Sequence, residues 1–484
     1  MITSAVESLP TPVLTRQRPV GLASTAAAAA CFALVVLIVG GLGPAGAGKI
    51  QLVSSIALTI LSVWLLTLVA NRVGLAPHVG YLMMLFGAFY WFISPAFLIA
   101  LQPEIRVGER YGLMLSPASI TTACLYLSGY VFAGVVTYWL SIGMARRWTN
   151  RAERIAVPDK IYLIIIALFL AGFIPYLLFG GGLENVLHAI MAGRSEKAPW
   201  KAGALGDERS ALYYLSRSGL VAAAGFAGTW AMLARESRHR PLLLGIFCFT
   251  TLIVFFDGGT RSWVALAVIP TFLAWITYTM KQHLTLGKVF LCLAVICGIQ
   301  FAFEFARASR MGGWDLERVK VIDPLKRKFD NDFFTDLTVC VDLVPRRRDY
   351  FYFGDFWGFV SHPVPRFLWR DKPISPILLY YNGTVSQGLL GSRGNKLPSH
   401  IGQFHMSLGM LGVTILGVLS GVISAFSSAM LSSRFVGLSH LGAVLATWWF
   451  IMARGVYPGW SYVLLFAWVI TSFGFRVMRT SQST

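Results

Sequence analysis

The chain has 484 residues, of which 56% are hydrophobic and 13% charged, with a mean hydropathy of +0.64. Soluble globular domains carry about a quarter charged residues, so this balance excludes one as the main architecture. The net charge of +19 is spread over short clusters between apolar runs, which fits anionic lipid headgroups; without a soluble basic domain, nucleic acid is excluded as a partner.

In chain order, residues 1–20 contain Pro10, Pro12 and Pro19 with Arg16 and Arg18, and are expected to form a disordered cytoplasmic tail. No small-residue cleavage pattern follows the first apolar run, so it is read as an uncleaved helix and not as a signal peptide. Runs near the length of about 20 residues needed to cross a bilayer fall at 22–43, 50–70, 79–101, 118–143, 160–179, 211–234, 241–256, 262–280, 286–303, 404–430, 437–453 and 459–476. None shows the alternation of a membrane barrel, and backbone groups in lipid must be satisfied within the spanning element, so the runs are read as helices. The expected fold class is all-α and polytopic in the membrane, with about 12 transmembrane helices and one long external loop. Residues 21–303 would hold helices 1–9, 304–400 the loop, and 401–484 helices 10–12 with a cytoplasmic C-terminus.

Short loops rich in Lys and Arg stay in the cytoplasm. Basic clusters occupy alternate connections: Arg16 and Arg18; Arg72; Arg146, Arg147, Arg151 and Arg154; Arg235, Arg238 and Arg240; Lys281 and Lys288; Arg434; Arg476 and Arg479. Both termini then lie inside, and 102–117, 180–210, 257–261, 304–400 and 454–458 face outward. The long loop carries 15 Lys+Arg and 11 Asp+Glu, half of the 22 acidic residues in the chain. Long loops translocate largely regardless of charge, so its basic residues do not oppose an outer position. Of six cysteines, Cys31, Cys124, Cys248, Cys292 and Cys297 fall in predicted spans and Cys340 in the loop, with neither a disulfide framework nor zinc spacing.

Four segments that bear chemistry converge on the outer side. Asp257-Gly258-Gly259-Thr260-Arg261 is a tight turn into a span. It reads either as a glycine hairpin whose arginine reaches lipid headgroups or as an anion contact near the outer surface. His362-Pro363-Val364-Pro365-Arg366-Phe367-Leu368-Trp369-Arg370-Asp371-Lys372-Pro373 cannot form a continuous helix. Its Arg366, Arg370 and Lys372 suit phosphate or pyrophosphate, since the arginine fork makes paired bonds to phosphate oxygens; the other reading lays Phe367 and Trp369 on the membrane interface. Residues 398–412 enter a helix from outside with His400 and His405. Five positions place these about 140° apart around a helix, poorly set for one metal, whereas either can act as a general base or as a capping side chain. Arg454-Gly455 ends the penultimate span, as an outward-reaching arginine or as a fourth anion contact.

In their order and spacing these segments resemble the Wzy-type oligosaccharide repeat-unit polymerases, the O-antigen and exopolysaccharide polymerases. The likeness runs through Gly258 to Arg261, Pro365 to Pro373, Ile401 to Gly412, and Arg454-Gly455, over about half of the chain. The most specific piece is Pro365-Arg366-Phe367-Leu368-Trp369-Arg370-Asp371-Lys372-Pro373. Two departures stand out: Arg370 where many relatives have proline, and Gly402-Gln403 where they often have Gly-Glu. Gln403 cannot serve as a carboxylate base.

The resemblance implies a GT-C-like glycosyltransferase of the bacterial inner membrane, acting at its periplasmic face. It would join repeat units carried on undecaprenyl pyrophosphate, which supplies both donor and acceptor, with membrane lipid and a chain-length regulator as candidate further partners. The leaving pyrophosphate needs stabilising cations, assigned to Arg261, Arg366, Arg370, Lys372 and Arg454, with Arg366 and Arg454 foremost. The base that takes the acceptor proton is assigned to His400, with His405 and Asp371 behind it. No cofactor and no metal are expected, because the arginines supply the positive charge. Residues 323–344 read as an amphipathic helix on the outer leaflet. The loop 180–210, with Arg194, Lys197, Lys201 and Arg209, reads as a second wall for an acidic glycan. Competing assignments are an O-antigen ligase, which uses the same donor, and a flippase for lipid-linked oligosaccharide, for which neither an internal repeat nor midplane charges are found.

Overall fold

The computed structural model describes residues 76–93, 95–96, 115–152, 161–179, 182–184, 208–233, 238–256, 261–279, 333–352, 369, 371, 375–388, 398–433, 436–455 and 461–481. Among these, every regular element is helical. After a short 3₁₀ turn at Ala76–His78 come α1 (Val79–Ala88), which runs into a π turn at Phe89–Ile93, α2 (Pro117–Ala152), α3 (Ile161–Phe179), α4 (Glu208–Leu233) and α5 (Arg240–Phe256). They are followed by α6 (Arg261–Thr279), α7 (Phe333–Leu343), α8 (Pro376–Gly388), α9 (His400–Leu431), α10 (Val436–Met452) and α11 (Ser461–Ser481). Nine of the predicted apolar spans coincide with these helices; 22–43, 50–70 and 286–303 lie outside the described residues.

Among the described residues two helices, over Pro117–Asn150 and His400–Leu431, are long and apolar enough to cross a membrane by length and composition. Five shorter apolar helices lie at Val79–Ile93, Tyr162–Leu178, Arg240–Phe255, Ser262–Thr277 and Val436–Met452. The long pair pack on one another, and small residues set how closely. A side chain at Gly417 would lie 2.7 Å from the Tyr130 carbonyl oxygen, and one at Gly421 would strike the Gly134 carbonyl. Such close backbone approach is the usual device where apolar solvent supplies little drive for helices to associate. Outside this contact, Leu125, Phe132, Leu140 and Met144 on α2 and Leu411, Ile415 and Leu419 on α9 stand exposed.

Polar groups inside the bundle are joined across helices. Ser428 Oγ accepts from the Tyr81 amide (3.1 Å), Ser427 Oγ donates to the Gly442 carbonyl (2.8 Å), and Thr229 Oγ1 meets His440 Nδ1 (2.8 Å). Most buried polar groups are satisfied by such partners.

The sequence places an amphipathic helix on the surface over 323–344, and here the structure differs. Helix α7 covers Phe333–Leu343 with all of its residues buried, packed against α2, α9 and the π turn. Its carboxylates are tolerated inside because they are paired: Asp336 accepts from Tyr381 OH (3.1 Å) and Asp342 from Ser119 Oγ (2.9 Å) and Arg346 Nη1 (2.9 Å).

Candidate functional site

The start of α9 builds one side of the site. Ser399 caps the helix by accepting the Gly402 amide (3.1 Å), a serine cap of the kind that satisfies a first-turn N–H. The His400 amide donates to the Ala453 carbonyl (3.4 Å), which ties this turn to the Arg454-Gly455 segment at the end of α10. The His400 side chain is 1% exposed, among the rings of Tyr130 (5.4 Å between centroids), Phe92 (6.0 Å) and Trp449 (6.0 Å). Neither of its ring nitrogens has a hydrogen-bond partner among the described residues. A neutral imidazole carries one lone pair and one N–H.

Arg454 reaches across to the start of α6, where Nη1 donates to Ser262 Oγ (3.0 Å), beside Arg261 in sequence. Its guanidinium also lies over the rings of Trp91 (5.8 Å) and Phe333 (5.9 Å), which meet edge to face at 5.5 Å. The Trp91 indole is fixed by its own bond to the Phe450 carbonyl (2.8 Å). Segments around 91, 262, 333, 400 and 454 therefore form one end of the bundle. Aromatic faces hold the arginine by the ring quadrupole and fix its position at this end of the bundle.

Sequence reading missed one cation of this group. Arg217 on α4 is 4% exposed, with its guanidinium 5.0 Å from the ring centroid of Trp263, the residue after Ser262, and 6.0 Å from that of Tyr213. The signal was present as an arginine well inside the apolar run 211–234, where an ionisable residue is a functional candidate by default.

His405 sits differently from His400. Its Nε2–H donates to the Val344 carbonyl (2.9 Å), and its ring lies against Tyr126 (4.8 Å) and Tyr350 (6.0 Å). That commits one nitrogen to joining α9 with the chain after α7. Four residues on, α9 is interrupted at Gly409 (φ 62°, ψ −139°), a backbone state that L side chains rarely adopt. The Met406 and Ser407 carbonyls, which would otherwise bond up the helix, accept instead from the Phe351 and Tyr352 amides (2.9 Å each). The first two turns of α9 thus form a separate half-helix, strapped by residues 350–352. Tyr350 covers Gly409, and a side chain there would stand 3.0 Å from its hydroxyl oxygen.

Of the other sequence candidates, Arg261 is the first residue of α6, and Asp371 lies exposed in a turn. Arg366, Arg370 and Lys372 lie outside the described residues, as does most of the loop 180–210. Gln403 is buried in the first turn of α9. Cys340 is fully buried, its sulfur filling the space a side chain at Gly402 would need (2.7 Å). Burial, and then the Asp336 carboxylate, push its thiol well above the ordinary value, which makes it an inert packing group.

No protein-family model, curated protein or solved structure matches the chain. The arrangement itself carries the functional argument: Arg454, held by aromatic rings, is tied through Ala453 to the helix start that bears the buried His400 imidazole, while Arg217 packs on Trp263, the residue after the Ser262 that Arg454 contacts.

Proposed function

We propose that this chain is an integral-membrane glycosyltransferase that polymerises oligosaccharide repeat units carried on a polyprenyl pyrophosphate. It lies in the bacterial inner membrane with about twelve helices, sized by the bilayer, both termini in the cytoplasm and the site facing the periplasm. The observation that carries this reading is the joining of Arg454 to Ser262 and, through the Ala453 carbonyl, to the helix start that bears His400. The exposed apolar faces of α2 and α9 support a lipid surround.

The acceptor hydroxyl oxygen forms a bond to the donor anomeric carbon. The bond from that carbon to the pyrophosphate oxygen breaks, and the pyrophosphate leaves with the electron pair. A pyrophosphate is an acidic leaving group, so stabilising its charge matters more than protonating it. Arg454 and Arg217 are preorganised for this, and Arg261, Arg366, Arg370 and Lys372 are the further cations that the sequence brings to the same outer side. The hydroxyl proton passes to His400, whose two nitrogens are unengaged, in preference to His405, which is bound to Val344. No metal is needed for this chemistry: turnover should persist in chelator, and loss restored by magnesium would contradict the assignment.

The test is the glycan ladder displayed by cells that carry the chain or its Arg454→Ala and His400→Phe variants, with membrane expression checked. Loss of long chains, with single repeat units still displayed, supports polymerisation. Single units that remain joined to a lipid core only in the wild type point to a ligase. Loss of all external glycan points to a flippase.

A further inference from the structure

A polymerase of this kind handles two lipid-linked substrates at once, yet the Arg454 group accounts only for the donor's pyrophosphate. Beyond the C-terminal end of α7 stands a second cationic group, Arg346-Arg347-Arg348, exposed to solvent and unused by the mechanism above. Each guanidinium is held from one side. Arg346 Nη1 donates to Ser116 Oγ (2.8 Å) and to Asp342 Oδ1 (2.9 Å), and Arg347 Nη2 lies 3.5 Å from Asp342 Oδ2. Arg348 stacks over Phe351 (4.4 Å) and Tyr380 (5.1 Å). With Asp342 and the following Asp349 counted, the group remains net positive, and about half of the Arg346 and Arg347 side chains faces outward. Ser116 precedes α2 and caps it by accepting the Ser119 amide (3.1 Å), so the helix N-terminus adds partial positive charge at the same place.

Helix α7 fixes how far apart the two groups are. Phe333 at its first position supports Arg454, and Arg346 follows shortly after Leu343 at its last. Eleven residues of α-helix make a rod of about 16 Å. Because α7 is buried on all sides and clamped to α2 and α9, that spacing is rigid. In the transfer, the donor's reacting carbon lies at its own pyrophosphate, while the acceptor's pyrophosphate lies one whole repeat unit away from its attacking hydroxyl. The two anions must therefore be apart by the length of an oligosaccharide of a few sugars.

We propose that Arg346, Arg347 and Arg348 form the acceptor site, which holds the pyrophosphate of the incoming lipid-linked unit while Arg454 and Arg217 hold the donor's. This rests on the polymerase reading above. Arginine forks pair with phosphate oxygens in two-point contacts. Aromatic stacking and the Asp342 carboxylate orient them beforehand, so less freedom is lost on binding. The transfer balances as already given; the acceptor's own pyrophosphate bond stays intact throughout.

The experiment uses the full chain in nanodiscs of zwitterionic lipid with farnesyl pyrophosphate as probe, counted by native mass spectrometry. The wild type should bind two molecules. R346Q/R347Q/R348Q and, separately, R454Q should each bind one, and R346K/R347K/R348K should keep the second site but weaken it. The milder R347Q should weaken the second site about tenfold, the effect of losing one charge-assisted hydrogen bond, and it guards against misfolding of the triple variant. Two molecules still bound by a correctly folded triple variant overturns the proposal. Displacement of the second molecule by phosphatidylglycerol at equal concentration also overturns it, because the site would then be a general headgroup contact. If the wild type binds two molecules but joins no repeat units, the polymerase reading fails while the second anion site stands. If it polymerises and the triple variant shows an unchanged KM for acceptor, the polymerase reading stands and the acceptor assignment fails.

Discussion

Replacing Gly409 with alanine tests whether the break in α9 is built into the chain. The residue sits at φ 62° and ψ −139°, and a side chain would come to 3.0 Å from the Tyr350 hydroxyl oxygen. A non-glycine residue in such a state costs about 1–3 kcal/mol. Straightening the helix instead forfeits the two bonds from Phe351 and Tyr352 to the Met406 and Ser407 carbonyls, each a net contribution of about 1 kcal/mol. The cheaper route sets the loss, which is about 1–2 kcal/mol; straightening would also displace the half-helix that carries His400. Unfolding in detergent, followed by fluorescence and by loss of the monodisperse peak, reads the stability; the cellular ladder reads the displacement. Gly409→Ala combined with Tyr350→Ala separates the two causes, since it removes the contact and leaves the backbone strain. The double variant should stay destabilised. Wild-type stability in Gly409→Ala, or full rescue by Tyr350→Ala, would refute the strain argument.

Three further outcomes follow from the geometry. His405→Phe keeps the ring between Tyr126 and Tyr350 and loses only the bond to Val344, so stability should fall by about 1 kcal/mol with polymerisation retained; abolished polymerisation at intact folding would transfer the base role to His405. Arg217→Met keeps a long apolar stem beside Trp263 and removes the charge, and it should lower turnover at least about tenfold, the equivalent of 1.4 kcal/mol of transition-state stabilisation. Unchanged turnover would remove Arg217 from the site. Cys340, buried and with its thiol pushed well up by desolvation and Asp336, should resist maleimide in the folded protein and react after denaturation, whereas rapid labelling of the native chain would contradict the burial of α7.

Hydropathy made the helices legible wherever a run was apolar and near bilayer length: α3, α4, α5, α6, α9 and α10 each begin and end close to the predicted runs. The 36-residue length of α2 was not legible, because Arg146, Arg147 and Arg151 end the apolar signal before the helix itself ends at Ala152. Helix α7 was misread as a surface helix for a related reason. Its periodicity is interrupted by Asp336 and Asp342, and their partners, Tyr381, Ser119 and Arg346, are either distant in sequence or beyond the helix end. The link between Arg454 and Ser262 spans almost two hundred positions and leaves no local trace, although both segments were singled out by an arginine within two residues of a glycine. The different states of His400 and His405 could not be read from spacing, since they depend on a carbonyl at Val344 and on rings from the π turn, α2 and α10.

The most direct test of the central claim is reconstitution. Full-length chain purified into lipid vesicles, supplied with one lipid-linked repeat unit and no other protein, should release polyprenyl pyrophosphate and form a ladder of joined units. The Arg454→Ala and His400→Phe variants should bind the lipid and form none. Movement of the lipid-linked unit across the vesicle without any joined product would contradict the account.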